Sequence, residues 1–188
     1  MTLLGRASLL QEVEQLLAQG QSVLLVGPEG IGKTALIEPL RRPAGVTVID
    51  PFAQVSGARA AAIRRAMDRG AVFLAAARSR DRKTIGRVGR VLWRMRTVRV
   101  RPLCPRMIKY LLVRTLMLHC VARDEVAARW VYEAASLVDG RPGYAVGLVM
   151  CASTWRETHG GLPVPGFAFV DYLQRTNDPP KLESRTSQ

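Results

Sequence analysis

Metal-binding cysteine patterns are missing from this chain. Its three cysteines, Cys104, Cys120 and Cys151, form no Cys-x-x-Cys pair, and only His119 and His159 could join them. That argues against a zinc-built or disulfide-built scaffold and for free thiols, buried or half-buried, in a reducing cytosol. No apolar run is long enough for a bilayer, since Leu111–Ala122 is short and interrupted by Arg114. Met1–Arg6 leads at once into a polar amphipathic helix, unlike a signal peptide, and no lipidation motif is visible. A cytoplasmic protein with no membrane partner is expected. A Gly-x-Ser-x-Gly elbow is also absent, so the serines and histidines make no hydrolase spacing. Acids are scarce, 15 against 28 Lys and Arg, giving a net charge of +13. Such an excess leaves the fold open and favours a polyanionic partner, nucleic acid before membrane surface. Hydrophobic residues make up 48% of the 188 residues, enough for a real core.

What is present is an ordered alternation. Ser8 to Gln11 has the spacing of a capping box, and Leu9, Leu10, Val13, Leu16 and Leu17 fall on one helical face that Gly20 ends. Ser22–Val26 is a short apolar run, predicted as a buried strand. Thr34–Arg42 continues as a helix that Pro39 keeps short. Val46–Asp50 reads as a second strand, Ala58–Arg69 as a helix, Ala71–Ala77 as a third strand, Thr84–Met95 as a helix and Thr97–Val100 as a fourth strand. From Pro105 onward only helical periodicity is found, over Pro105–Cys120, Asp124–Val138 and Pro142–Trp155, with Asp124 as an N-cap and Pro142 at a first helical position. The organisation expected is a core over residues 1–103, a helical domain over 104–160, and a tail over 161–188 whose end is disordered. Strands alternating with helices predict a parallel sheet with crossover helices.

Between the first strand and the helix after it lies Gly27-Pro28-Glu29-Gly30-Ile31-Gly32-Lys33-Thr34. The spacing Gly-x-x-x-x-Gly-Lys-Thr, set between strand and helix, is a phosphate-binding loop. Glycines let successive amides turn inward, Lys33 reaches the β- and γ-phosphates, and the Thr34 hydroxyl suits magnesium. The helix N-terminus adds its own positive potential, so Gly27 to Thr34 together with Ala35 form the cofactor-binding set for ATP and Mg2+. No guanine-reading Asn-Lys-x-Asp motif appears.

A second cationic element runs from Arg78 to Arg101. It holds Arg78, Arg80, Arg82, Lys83, Arg87, Arg90, Arg94, Arg96, Arg99 and Arg101 against Asp81 as its one acid. Arg87, Arg90 and Arg94 recur at helical spacing, and Arg99 and Arg101 share a strand face, so these five are candidate DNA-phosphate contacts. Trp93 is the one tryptophan in the run, which argues for backbone contact without base stacking and indifferent to sequence. The competing reading is a solvated, charged face whose arginines pair with acids such as Glu125 and Glu133.

The arrangement resembles the AAA+ ATPases, in particular the signal-transduction and origin-recognition branch and the transposition-regulator ATPases, over Gly5 to about Trp155. Gly5-Arg6 resembles the family's Gly-Arg opening, where the backbone passes near adenine. Val46–Asp50 resembles a Walker B strand, which implies Asp50 beside Thr34 as a magnesium ligand. Val72–Arg78 resembles the sensor strand with Arg78 at its end, and Val98–Leu103 the last strand with its Pro-Leu step into the lid. Gly140-Arg141-Pro142-Gly143 resembles the lid segment carrying the second sensor, Arg141. Lys33, Asp50, Arg78 and Arg141 are thereby implied as catalytic, with Arg78, Arg80 or Arg82 available as a finger on a neighbour's γ-phosphate.

Two departures stand out. Fifteen residues separate Thr34 from Asp50, where the family fits another strand and helix. Either this is a reduced core with its Walker B strand at the sheet edge, or Asp50 belongs to the second strand and the true Walker B is lost. Pro51 stands where the family has the acidic residue that orients the attacking water, which implies slow hydrolysis. Glu29 either substitutes for that residue or is a solvated variable position.

The resemblance implies an ATPase that oligomerises with nucleotide and binds DNA, as in transposition regulators or helicase loaders, with a recombinase or another protein as further partner. A nucleotide-gated interaction switch with little hydrolysis is the alternative, favoured by Pro51. A small P-loop kinase fits the all-helical C-terminal third least.

Overall fold

The computed structural model describes residues 3–41, 45–52, 55–78, 89–119 and 128–177, with the side chains of Gly89, Arg90 and Asn177 left aside. These residues fall into two compact units, Met1–Leu103 and Cys104–Gln188.

In the first unit the described elements run α1 (Ala7–Ala18), β1 (Val23–Gly27), α2 (Lys33–Leu40), β2 (Val46–Ile49), α3 (Gly57–Asp68), β3 (Val72–Arg78), α4 (Gly89–Leu92) and β4 (Arg96–Arg99). The strands make a parallel sheet in the order β2-β3-β1-β4. A strand alternates its side chains between faces, so β1 feeds both cores of a three-layer sandwich. Leu24 and Val26 join Phe73, Ala75, Ala77, Ile49 and Ile63 on the face covered by α3 and α4. Val23 and Leu25 join Leu74, Ala76, Val13, Ile37 and Leu40 on the face covered by α1 and α2. Burial on both faces explains why β1 is apolar throughout, each fully buried leucine contributing about 1.5–3 kcal/mol.

β2 pairs only with β3 among the described residues, so the strand before Asp50 stands at the sheet edge. Val46, Thr47 and Val48 are partly covered or exposed, as an edge requires, while Ile49 is buried. The α/β architecture expected of a reduced phosphate-loop core is therefore what the chain adopts.

Two local expectations are corrected. Ser8 is no cap: α1 starts at Ala7 with Arg6 at the cap position and no side-chain capping bond. The Arg6 carbonyl accepts the first helical bond from the Leu10 amide, while its side chain is engaged elsewhere. The helical face of Arg87, Arg90 and Arg94 fails at Arg94, because α4 closes at Leu92 and the chain turns there, with the Arg94 and Met95 amides bonding to Val91 and Leu92. Arg80, Arg82 and Arg87 lie outside the described residues, as do Cys120, Asp124 and Glu125.

The second unit contains α5 (Pro105–Leu118), α6 (Ala128–Leu137), α7 (Pro142–His159) and α8 (Pro165–Asn177). Pro105 and Pro142 open their helices, where a missing N–H costs nothing. Ile108, Leu112, Leu116, Val131, Ala134, Leu148 and Ala152 form the interior. The buried Trp130 indole donates to the Pro163 carbonyl at 2.7 Å. α7 lies so close to α8 that a Cβ on Gly147 would come within 2.1 Å of the Tyr172 ring.

α8 corrects the expectation of a tail from residue 161. Its buried Ala168 and its contacts to α6 and α7 hold it in the unit. Tyr144 meets both Phe169 and Tyr172, and Trp155 meets Phe167 edge-on. Burial first, then the Asp171 carboxylate, push the Cys151 thiol above its ordinary range, the behaviour of an inert internal thiol. No helix among the described residues is long and apolar enough to cross a membrane.

Candidate functional site

The loop from Gly27 to Thr34 joins β1 to α2 at the C-terminal edge of the sheet. Gly30 and Gly32 have φ of 71° and 90°, in the left-handed region that favours glycine, which fixes the curl of the loop. Ile31 between them is fully buried and packs with Leu36, Val98 and Val100, so a hydrophobic anchor holds a polar loop to the core. Gly27 has to be small: a Cβ there would lie 3.0 Å from both the Ile31 side chain and the Val100 carbonyl. Gly32 caps α2 with no side-chain bond, leaving the first helical amides of α2 for an anion.

Polar contacts donated by four side chains order this edge. The Lys33 ammonium donates to the Gly27 carbonyl at 2.8 Å and to the Pro28 carbonyl at 2.7 Å, lying across the loop. The Thr34 hydroxyl donates to the Asp50 carboxylate at 2.9 Å, between residues sixteen apart in sequence. The Arg78 guanidinium pairs with Glu29 at 2.9 Å. Arg78 gets there through register, since it ends β3 directly beside Gly27 at the end of β1. The Arg6 guanidinium, buried at 8% exposure, donates to the Ile31 carbonyl at 3.2 Å. Burial lowers the pKa of Arg6 from its ordinary value.

Sequence reasoning brought Lys33, Thr34, Asp50 and Arg78 to one edge, and they are there. It missed the Glu29–Arg78 pair and the role of the Arg6 side chain. An arginine just before an apolar helix, beside a glycine, was the signal for Arg6, and nothing in the sequence signalled that Glu29 pairs with Arg78. Arg99 and Arg101, expected on a DNA face, line a cavity of about 470 Å3 with Gly27 and Pro28. Arg94 stands at the opposite end of β4, in an ion pair with Asp68. Arg141 belongs to the second unit, at the N-cap of α7, 3.7 Å from Asp139 and over the Tyr144 ring.

Oxygen ligands suit a hard divalent cation, and Thr34 with Asp50 supplies a hydroxyl and a carboxylate in contact, so the residues present fit magnesium. No cluster of three or more His, Cys, Asp or Glu side chains that could hold a metal occurs among the described residues.

No family model and no curated protein matches the chain in sequence. Solved structures do match in fold. Thermotoga maritima RuvB, a Holliday junction branch migration motor, superposes with a TM-score of 0.57 at 16% identity, over 89% of this chain and 68% of that one. The Saccharomyces cerevisiae Hsp104–ADP complex gives 0.59 at 17% identity, over 84% and 32%. Hsp104 with ATPγS and casein gives 0.62 at 16% identity, over 96% and 43%. The fold is that of the AAA+ P-loop ATPases. The chain spans about two thirds of the RuvB chain and less than half of Hsp104.

Proposed function

We propose that this AAA+-fold chain binds ATP with Mg2+, hydrolyses it slowly, and uses the bound nucleotide to assemble with copies of itself on DNA. The contact between Thr34 and Asp50 carries the reading, because a hydroxyl of the phosphate loop and a carboxylate at the end of the edge strand, one strand removed from β1, have no shared structural need. It favours Asp50 as the Walker B aspartate of a reduced core. In this reading Gly27 to Ala35 hold the phosphates, Lys33 neutralises the β- and γ-oxygens, and Thr34 and Asp50 hold the metal, which screens phosphate charge when bound. Arg78 faces the terminal phosphate, and Arg141 acts as the lid's sensor. Pro51, in place of a water-orienting acid, makes turnover slow. RuvB supports DNA as the partner, and so does the net charge of +13. The basic row first drawn over Arg87–Arg101 does not, since Arg94 and Arg99 stand at opposite ends of β4.

That separation favours a second reading, a nucleotide-gated switch that recruits a protein; the Hsp104 structure with casein is a protein-bound relative in fold. Calorimetry of ATP with and without Mg2+, followed by sedimentation with a non-hydrolysable ATP analogue with and without duplex DNA, separates the readings. Mg2+-dependent binding, larger particles with the analogue and duplex bound to them support the first. Larger particles that ignore duplex support the switch. A strict monomer under all conditions would refute the first reading, and no ATP binding with or without Mg2+ would refute both.

A further inference from the structure

At the end of the sheet away from the phosphate loop, three turns meet: Gly20–Ser22 before β1, Gly70–Ala71 before β3, and Trp93–Met95 before β4. They enclose a groove of about 510 Å3 lined by Gly20, Ser22, Gly70, Trp93, Arg94 and Arg96, among others. None of its lining residues is acidic. β1 is five residues long, so about 16 Å of strand separates this groove from the loop.

Trp93 is 89% exposed. A lone exposed apolar side chain needs no explanation, but an indole held almost wholly in water at a groove that Arg94 and Arg96 also line is a planar surface with cations beside the same groove. Its backbone is fixed: the Arg94 and Met95 amides close the turn onto Val91 and Leu92, and the Arg96 amide bonds to the Ser22 carbonyl at 2.8 Å. Ser22 is tied in turn, its hydroxyl accepting from the Phe73 amide at 3.0 Å. Arg96 is exposed, with no side-chain partner among the described residues. Arg94 pairs with Asp68, both side chains about half exposed, and an exposed pair of this kind yields readily to a phosphate.

We propose that this groove binds single-stranded nucleic acid, one base stacking on Trp93 while the adjoining phosphates meet Arg96 and Arg94. A duplex keeps its bases stacked on each other, so an exposed indole is useful only to an unpaired base. The proposal rests on the reading that the partner is a nucleic acid, and it replaces the expectation of contact without stacking. Sequence showed Trp93 alone in a basic run; the fold presents it.

The test is fluorescence anisotropy of the intact chain with a labelled mixed-sequence oligonucleotide, as single-stranded DNA, single-stranded RNA and duplex. The expected result is single-strand binding that quenches tryptophan emission. Trp93→Ala should weaken it about 5- to 150-fold, the span of one base–aromatic stack, with Trp93→Phe retaining most of the affinity. Arg96→Ala should flatten the log–log salt slope by about 0.7. Trp93 is exposed, so the variants should melt with the wild type. Duplex binding with single strands ignored, or Trp93→Ala without effect, overturns this proposal and leaves the DNA reading standing. Binding of neither form overturns both. Displacement of the strand by polyglutamate as effectively as by unlabelled DNA would make the groove an acidic-peptide site. A strong preference for either sugar would overturn a mode that reads no 2′-hydroxyl.

Discussion

The two ends of the one parallel sheet are built differently. At the C-terminal end of the strands, Lys33, Thr34, Asp50, Arg78, Glu29 and Arg6 are tied to one another or to loop carbonyls. At the N-terminal end, Trp93 and Arg96 stand in water over a backbone whose amides are satisfied. A site that must hold concentrated negative charge in one geometry gains from groups placed beforehand, since little ordering remains to be done on binding. A surface that takes a flexible strand gains from exposed planar and cationic groups that several sequences can use. Changes at the loop end should therefore act on affinity and metal dependence with large effects, and they decline as the altered contact becomes more exposed.

The largest effect is expected from Lys33→Ala. It removes the cation that lies across the loop, and ATP affinity should fall well over tenfold, by about 2 kcal/mol or more. Calorimetry measures this, and wild-type affinity in the variant would sink the loop reading. Single-stranded DNA binding without nucleotide should be unchanged in the same variant, because the two ends are separate.

Arg6→Met comes next, and it acts on stability. The substitution keeps the buried stem and removes the donor to the Ile31 carbonyl, leaving that acceptor unpaired at a cost of about 1–3 kcal/mol. Urea unfolding should report it. A variant as stable as the wild type would mean that water serves Ile31 equally well, and the loop would then be held by the Ile31 side chain alone.

Asp50→Asn should be smaller and specific. The side chain keeps an oxygen for the Thr34 hydroxyl and loses the charge that suits a divalent cation. ATP affinity in Mg2+ should drop about tenfold, roughly 1.4 kcal/mol, with little change in excess chelator. Equal losses with and without the metal would return Asp50 to the status of an ordinary strand end and leave the Walker B position unfilled.

How legible these ends were follows from where each constraint lives. The phosphate loop is written in consecutive residues, because its glycines, lysine and threonine act through one local backbone shape, so Gly27 to Thr34 could be read directly. The approach of Asp50 to Thr34 depends on β2 lying beside β3 and β3 beside β1, an ordering that sequence leaves open between two alternatives. The Glu29–Arg78 pair needs that same register. Arg94 was misplaced because a 3.6-residue period was carried through Trp93, where the backbone had already turned. α8 was missed because Gly160, Gly161 and Pro163 punctuate the chain just before it. Its apolar residues, Phe167, Ala168, Phe169, Val170, Tyr172 and Leu173, also run nearly without a break and mark no single helical stripe, and the helix packs on α6 and α7.

The smallest effect, and the most discriminating, belongs to Glu29→Gln. Glu29 and Arg78 are 2.9 Å apart with side chains 53% and 57% exposed, so the pair itself is worth about 0–1 kcal/mol and melting should not move. Its consequence is electrostatic. In the reading proposed above, a carboxylate inside the phosphate loop would repel the ligand and compete with the terminal phosphate for Arg78, which ends β3 beside Gly27. Replacing it with the neutral amide should tighten ATP binding about two- to fivefold, more at low salt, and ADP binding less. Turnover separates the two roles open to this residue. If Glu29 is a solvated variable position, ATP hydrolysis in Glu29→Gln stays within the range of the wild type as affinity rises. If Glu29 stands in for the acid that Pro51 displaced, hydrolysis collapses even as ATP binds more tightly, and slow catalysis with a base inside the loop replaces slow catalysis without one.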